Sequence, residues 1–279
     1  MKKILAVALA ALMALSLVAC TGGSSDVDNI NDYTPEQREL ITEDGTFTFE
    51  EGLADTAVLV SYVGKATHDD KVSIPAEFNN RPVATIGKEA FYQLASVVEI
   101  EIPATVISIE ESAFAYCVNL KKITWKDAEN DKVSDGNALP EGLETIGKGA
   151  FMGCTSLTDL DLGKSLKSIG DFAFLDCDKL TAAVLPDTTR TIGNAAFWRC
   201  KSLTEFDTNA VTKIGNMALY DCVAIEKITL SNVIEEIGEA AFHTATSSLK
   251  DKIDVDSFAE NDYVKKYYEE EIAEPSDED

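Results

Sequence analysis

The chain has 279 residues, 45% hydrophobic and 26% charged, which is apolar material for one sizeable core or a repeat array and too much for a disordered chain. Lys and Arg number 24 against 49 Asp and Glu, a formal charge of -25. Electrostatic repulsion therefore excludes nucleic acid as a partner.

The first element is the stretch "MKKILAVALAALMALSLVAC". Lys2 and Lys3 precede an apolar run from Ile4 to Ala19, too short and too one-sidedly flanked for a membrane span, so residues 1–19 read as an export signal. The end of the run, Leu17-Val18-Ala19-Cys20, resembles the lipobox of bacterial lipoproteins. That resemblance implies that Cys20 is lipidated and holds the protein to a membrane, facing outside the cytoplasm. The alternative is an ordinary secretory signal in which Cys20 is incidental. A chain this acidic gains nothing from an anionic surface, so lipid rather than charge would hold it there. Residues 20–44, rich in Gly, Ser, Asp and Asn after the Cys, read as a flexible linker.

From Thr46 the alternation of "TFTFEE" and "TAVLVSYVG" predicts strands, so residues 45–85 form an N-terminal β cap and a first half-repeat. One phrase then governs the chain. "IGKGAFMGCTSL" at 146 returns as "IGDFAFLDCDKL" at 169, "IGNAAFWRCKSL" at 192 and "IGNMALYDCVAI" at 214, with looser copies at 86, 109 and 237. The steps are 23, 37, 23, 23, 22 and 23 residues, and the outlier is 23 plus an insertion of 14 at about 126–139. About seven units of 22–23 residues predict a leucine-rich repeat solenoid over 86–255, an α/β repeat fold whose rungs are mainly β. Within each unit "LxxIxL" predicts a short parallel strand, the Gly of "IG" a tight turn, and the Ala-Phe pair a small residue beside a large one in the interior. One unit cannot bury its own apolar face, so neighbours must stack.

The order L-x-x-I-x-L-P followed by I-G-x-x-A-F-x-x-C-x-x-L, from Val72 to about Val255, resembles the BspA-type leucine-rich repeat family of bacterial surface proteins. The approach "VSIPAEFNNRPVATIGKEAF" is similar to that family's entry into its first full repeat. The resemblance implies a curved solenoid on the cell surface, associated with adhesion to host or partner proteins. It names no ligand, because function in such folds lies in variable positions on a common frame.

Chemistry is sparse. Cys117, Cys154, Cys177, Cys200 and Cys222 share one register, which Leu94 and Ala245 fill in the end units, so they read as a ladder of small apolar groups. Parallel Cβ vectors about 4.8 Å apart exceed the roughly 3.8 Å of a disulfide, and spacings near 23 lack the paired geometry of a zinc site. His68 lies in a loop-like "THDD", and His243 closes a column of Tyr92, Ala115, Met152, Leu175, Trp198 and Tyr220. No nucleophile elbow, phosphate loop or H-E-x-x-H motif is present, so the sequence predicts no enzyme, no cofactor and no metal.

Two surfaces could meet a partner. The outward positions of "LxxIxL" are Glu99 and Glu101, Lys122 and Thr124, Asp159 and Asp161, Ala182 and Val184, Glu205 and Asp207, Lys227 and Thr229, then Lys252 and Asp254. Of these, Glu99, Glu101, Lys122, Thr124, Asp159, Asp161, Glu205, Asp207, Lys227 and Thr229 are the candidate ligand-binding residues. Charge alternation between rungs also has a structural reading, since like charges facing each other across strands are destabilising. The second surface is the bulky column from Tyr92 to Tyr220, for which half-buried packing is the competing account.

The insertion carries Asp127, Glu129 and Asp131, but Lys132 stands where a calcium loop needs Gly and Ala138 where it needs Glu, so a protruding solvated loop is expected. Residues 256–279 leave the repeat, and Ala259 to Ile272 predicts a capping helix before an acidic tail. The function expected is a lipid-anchored surface protein with protein-protein or adhesive interactions, its partner a host matrix protein, a glycan or an envelope protein. A structural or spacer envelope lipoprotein without a dedicated ligand is the alternative.

Overall fold

The computed structural model of the chain describes residues 37–42, 45–64, 71–243 and 251–273; the export signal, Cys20, His68 and Ala245 lie outside them. β1 (Arg38–Ile41), β2 (Gly45–Glu51) and β3 (Ala57–Gly64) form an antiparallel meander whose inner face carries Phe47, Phe49, Leu59 and Tyr62. β1 falls inside the stretch expected to be linker. Leu40, opposite Phe47, packs against the core, and that contact gives "RELI" a reason to be a strand.

The chain then winds as a β-solenoid in which each unit supplies two short parallel strands. The "LxxIxL" segments form β4 (Lys71–Ser73), β7 (Glu99–Pro103), β9 (Lys122–Asp127), β12 (Leu160–Asp161), β14 (Ala183–Val184), β16 (Glu205–Asp207), β18 (Lys227–Thr229) and β20 (Ile253–Asp254). Their inward residues are buried and their outward ones, Thr124 excepted, are exposed or half-buried, as period-2 geometry requires.

The second sheet is the longer one, and it lies in the recurring phrase itself. β6 (Arg81–Ile86), β8 (Ser108–Ile109), β11 (Thr145–Ile146), β13 (Ser168–Ile169), β15 (Thr191–Ile192), β17 (Lys213–Ile214) and β19 (Glu236–Ile237) pair in parallel, one per unit. β3 joins them to the N-terminal meander, and β5 (Glu77–Phe78) pairs β6 antiparallel.

Between the sheets the phrase turns twice through left-handed backbone: at Glu89 and Gln93, Ser112 and Tyr116, Phe172 and Asp176, Ala195 and Arg199, Met217 and Asp221. Gly149 and Gly153 hold the same places in the third rung. Non-glycine residues resist this conformation by about 1–2 kcal/mol each. The next rung overrides the preference, because the N–H groups of Phe172 and Asp176 donate to the carbonyls of Asn194 and Trp198 at 2.8 and 2.9 Å.

The interior is built in columns. Phe91, Phe114, Phe151, Phe174 and Phe197 stack ring on ring with centroids 5.0 to 5.3 Å apart and planes within 15°. Every one of these rings is buried. The ladder stops where Leu219 replaces Phe, and there Phe206, entering from β16, meets Phe197 edge-on at 5.1 Å.

The insertion is more than a loop. Lys126 and Asp127 prolong β9, β10 (Lys132–Val133) pairs back with them, and Ala138 bridges Asp161 in parallel. Asn137 drives this return: its side-chain oxygen accepts the Ile123 N–H and its carbonyl accepts the Asp161 N–H. The inserted residues thus occupy a rung position between β9 and β12. At the other end, α1 (Asp262–Tyr267) begins at Asn261, whose side chain accepts the Val264 N–H at 3.1 Å, and continues as a π-helical turn over Tyr268–Ala273. Val264 and Phe258 bury against the last rungs.

Candidate functional site

The outward column of the "LxxIxL" strands divides into three parts by charge. At its beginning Lys71 lies 3.7 Å from Glu99 and 3.3 Å from Glu101, and Lys122 lies 3.4 Å from Glu99. These groups stand in lateral register, so the alternation of sign holds neighbouring rungs together. At its end Lys227 is 3.5 Å from Asp254.

The middle part differs. Asp159, Asp161, Glu205 and Asp207 are exposed and take part in no ion pair among the described residues. Glu205 has Lys227 beside it in register, but that ammonium turns to Asp254. Asp161 and Asp207 each accept a turn N–H, from Gly163 at 2.9 Å and Asn209 at 2.8 Å, and Asp159 accepts the Thr158 hydroxyl at 3.0 Å. Between these carboxylates sits Val184, 59% exposed. The strand ladder lapses here: β12 and β14 form one sheet, and β16, β18 and β20 another. The inward neighbours at the lapse are Ala183 and Phe206, the smallest and the largest of their column.

Thr124 departs from the surface expected of it. It is 4% exposed, and its hydroxyl finds no hydrogen-bond partner. Strand parity turns it outward, but the inserted segment returns beside it, with Ala138 N–H on the Ile123 carbonyl at 2.9 Å. Thr229 is half-buried.

From Met152 to Tyr220 the bulky column is half-buried packing, while Ala115 is buried and Tyr92 and His243 at its ends are exposed. Trp198 meets Tyr220 edge-on at 5.6 Å, Tyr220 stacks on His243 at 5.0 Å, and Tyr116 lies over Gly153 with its hydroxyl 3.8 Å from the Met152 sulfur. The Arg199 guanidinium sits 5.9 Å above Trp198 and forks onto Asp176 at 2.6 and 2.8 Å. Ring faces here are engaged with one another.

The cysteine register is a hydrogen-bonded ladder. Each thiol is buried and donates to the carbonyl of the Phe one rung earlier: Cys117 to Phe91, Cys154 to Phe114, Cys177 to Phe151, Cys200 to Phe174 and Cys222 to Phe197, at 3.0 to 3.2 Å. Burial pushes Cys117 and Cys222 up to about 12 and the other three upward as well. The unfolded chain therefore loses thiol protons first. Stability is expected to fall as pH rises from about 9 toward 12, since the folded state binds more protons in that window. Urea unfolding across this range tests it. A variant with the five cysteines changed to Ala should show a shallower slope, and equal slopes would refute the account.

A further ladder is visible only in the structure. Asp171 accepts the Asn194 N–H at 2.6 Å, Asn194 accepts the Asn216 N–H at 2.8 Å, and Asn216 accepts the Glu239 N–H at 2.8 Å. Its sequence signal is the Asp or Asn after "IG" in three successive units. In the insertion Asp127 is held below the usual carboxylate range by the Asn130 amide, and Asp131 pairs with Lys126 at 3.1 Å. Among the described residues no group of three or more His, Cys, Asp or Glu is placed to hold a metal ion, and no helix is long and apolar enough to cross a membrane.

Comparison with known proteins agrees with this architecture. The family description "BspA type Leucine rich repeat region" matches residues 71–137 and 135–250 in six copies. The crystal structure of a T. pallidum leucine rich repeat protein is similar at 24% identity and a TM-score of 0.63, covering 79% of this chain and 92% of that one. A leucine rich cell surface protein from Faecalibacterium prausnitzii A2-165 matches at 20% identity and a TM-score of 0.43, covering 77% of each chain. No curated protein matches.

Proposed function

Since the chain belongs to the BspA-type leucine-rich repeat family, we propose that it is a lipid-anchored surface protein that meets an extracellular partner through the outward face of its "LxxIxL" strands. The supporting observation is the middle of that face. Asp159, Asp161, Glu205 and Asp207 surround exposed Val184 and lack the lysines that neutralise both ends. Apolar surface ringed by one sign of charge suits a partner protein with a basic contact surface. Cys20 is the proposed acylation site, and mass spectrometry of the native N-terminus reads it directly: an unacylated Cys20 overturns the anchor.

Binding is tested with residues 21–279 on extracellular-matrix proteins and a glycan array at physiological salt. The expected result is saturable binding to a few targets, weakened about tenfold or more by the triple change Asp159→Asn, Val184→Ser and Glu205→Gln. Lys213→Gln, on the other sheet, should leave it intact. A folded protein that binds neither panel would favour the structural or spacer reading, which the rung-to-rung ion pairs of Lys71, Lys122 and Lys227 support. No catalysis is assigned in either reading.

A further inference from the structure

Among the described residues the longest sheet has two ends, β1 and β19. An edge strand offers unpaired N–H and C=O groups to any other strand, and proteins cover or blunt such edges. Along the solenoid the next rung does the covering: Gly215 N–H donates to the Ile192 carbonyl and Gly238 N–H to the Ile214 carbonyl, both at 2.8 Å. Beyond β19 no further rung exists among the described residues, and side chains of the C-terminal segment stand in its place. The Tyr263 hydroxyl accepts the Ile237 N–H at 2.8 Å and donates to the Ile237 carbonyl at 3.5 Å. Asn261 donates its amide to the carbonyls of Asn232 at 2.9 Å and Ile234 at 2.8 Å.

These contacts are separable from the burial of apolar surface. Val264, Phe258 and Ile272 cover the last rung, and Tyr267 meets Phe242 edge-on at 6.3 Å. Tyr263 is 42% exposed, and its hydroxyl, which serves the strand edge, can be removed while the ring keeps the burial it supplies. We infer that Asn261 and Tyr263 form a strand-edge plug, and that the partner it turns away is a second copy of this chain adding its β1 to β19. The copy is the fitting occupant because β1 and β19 are opposite edges of one sheet. Joining them repeats head to tail and does not close, the contact that yields open filaments. Ile41 on β1 is 70% exposed and available to such a contact.

The inference is independent of the ligand-binding reading. It is tested on residues 21–279 carrying Asn261→Ser with Tyr263→Phe. Serine still caps the helix, and phenylalanine keeps the ring, so the apolar cover stays while the edge is released. Sedimentation velocity over a concentration series should show a monomeric parent and a variant whose mass rises with concentration past the dimer. Adding Ile41→Lys, a charge on the opposite edge, should return the variant to monomer. Two results overturn the inference: a folded double variant that stays monomeric at the highest concentration, or association that Ile41→Lys fails to reverse, which would trace to exposed apolar surface instead. A parent that associates as strongly as the variant overturns it too.

Discussion

Phe174→Ala is expected to lower the stability of the solenoid by about 3–5 kcal/mol, a loss as large as any single truncation of the ladder should cause. Phe174 is fully buried with its ring parallel to Phe151 at 5.3 Å and to Phe197 at 5.1 Å, so the deletion empties the space between two rings rather than at one end. Collapse cannot fill it. The rungs above and below are fixed by backbone hydrogen bonds, Phe174 N–H on Ala196 at 2.7 Å among them, and a gap that cannot close leaves its cavity cost in place. Phe174→Leu should cost much less, about 1 kcal/mol, because the chain already accepts Leu219 in this column. The Leu219 rung has help, however, from Phe206 crossing edge-on to Phe197. Urea denaturation followed by circular dichroism measures both, over the whole curve, since a repeat array can lose cooperativity at a weakened rung. A loss below about 1 kcal/mol for the Ala variant would mean that the ladder fills space without coupling rungs.

The period carried most of this fold into the sequence. Residues that recur every 23 positions must occupy equivalent places, and the Phe column is buried at every described repeat, as are the five cysteines of the other, while Leu94 at the first unit is partly buried. What the period could not carry were features needing a second rung to exist. The strands ending in Ile109, Ile146, Ile169 and Ile192 are two residues long, too short for any alternation to show, and they are strands only because the neighbouring rung pairs with them. The left-handed turns at Phe172 and Ala195 sit on residues with no local preference for them. Their cause is the cross-rung hydrogen bond. On the candidate face the alternation of charge was legible, but which charges pair was not. Glu99 is shared by Lys71 and Lys122 while Glu205 goes without, because Lys227 reaches the later rung instead of the earlier one. Thr124 fails for another reason. Parity describes a strand in a regular sheet, and the inserted Asn137 and Ala138 end that regularity beside it.

Gly193→Ala is the second substitution with a large expected effect, about 3 kcal/mol of destabilisation, and its cause is space rather than backbone conformation. A Cβ at Gly193 would stand 2.5 Å from the Asp171 nitrogen and 2.6 Å from the Gly170 carbon, both main-chain atoms of the preceding rung. Main chain cannot rotate out of the way as a side chain can. The rung would have to lift, stretching the Gly193 N–H bond to Ile169, 2.8 Å, and the Asn194 N–H bond to the Asp171 carboxylate, 2.6 Å. Glu110 occupies the equivalent place one rung into the array, with its N–H on the Ile86 carbonyl at 2.9 Å. Its carboxylate takes the Lys88 N–H at 3.1 Å, a bond that alanine cannot make. Gly142→Ala is the matched control, because a Cβ there meets nothing closer than the Ala104 carbonyl at 4.0 Å, so no loss is expected. Thermal and urea unfolding of the pair decide the matter. If the two variants unfold alike, inter-rung spacing yields easily to a methyl group, and the glycine of the phrase owes its place to something other than contact between rungs. If Gly193→Ala alone falls, Gly193→Glu becomes the instructive next step: partial recovery would show that Glu110 holds its rung through the bond to Lys88.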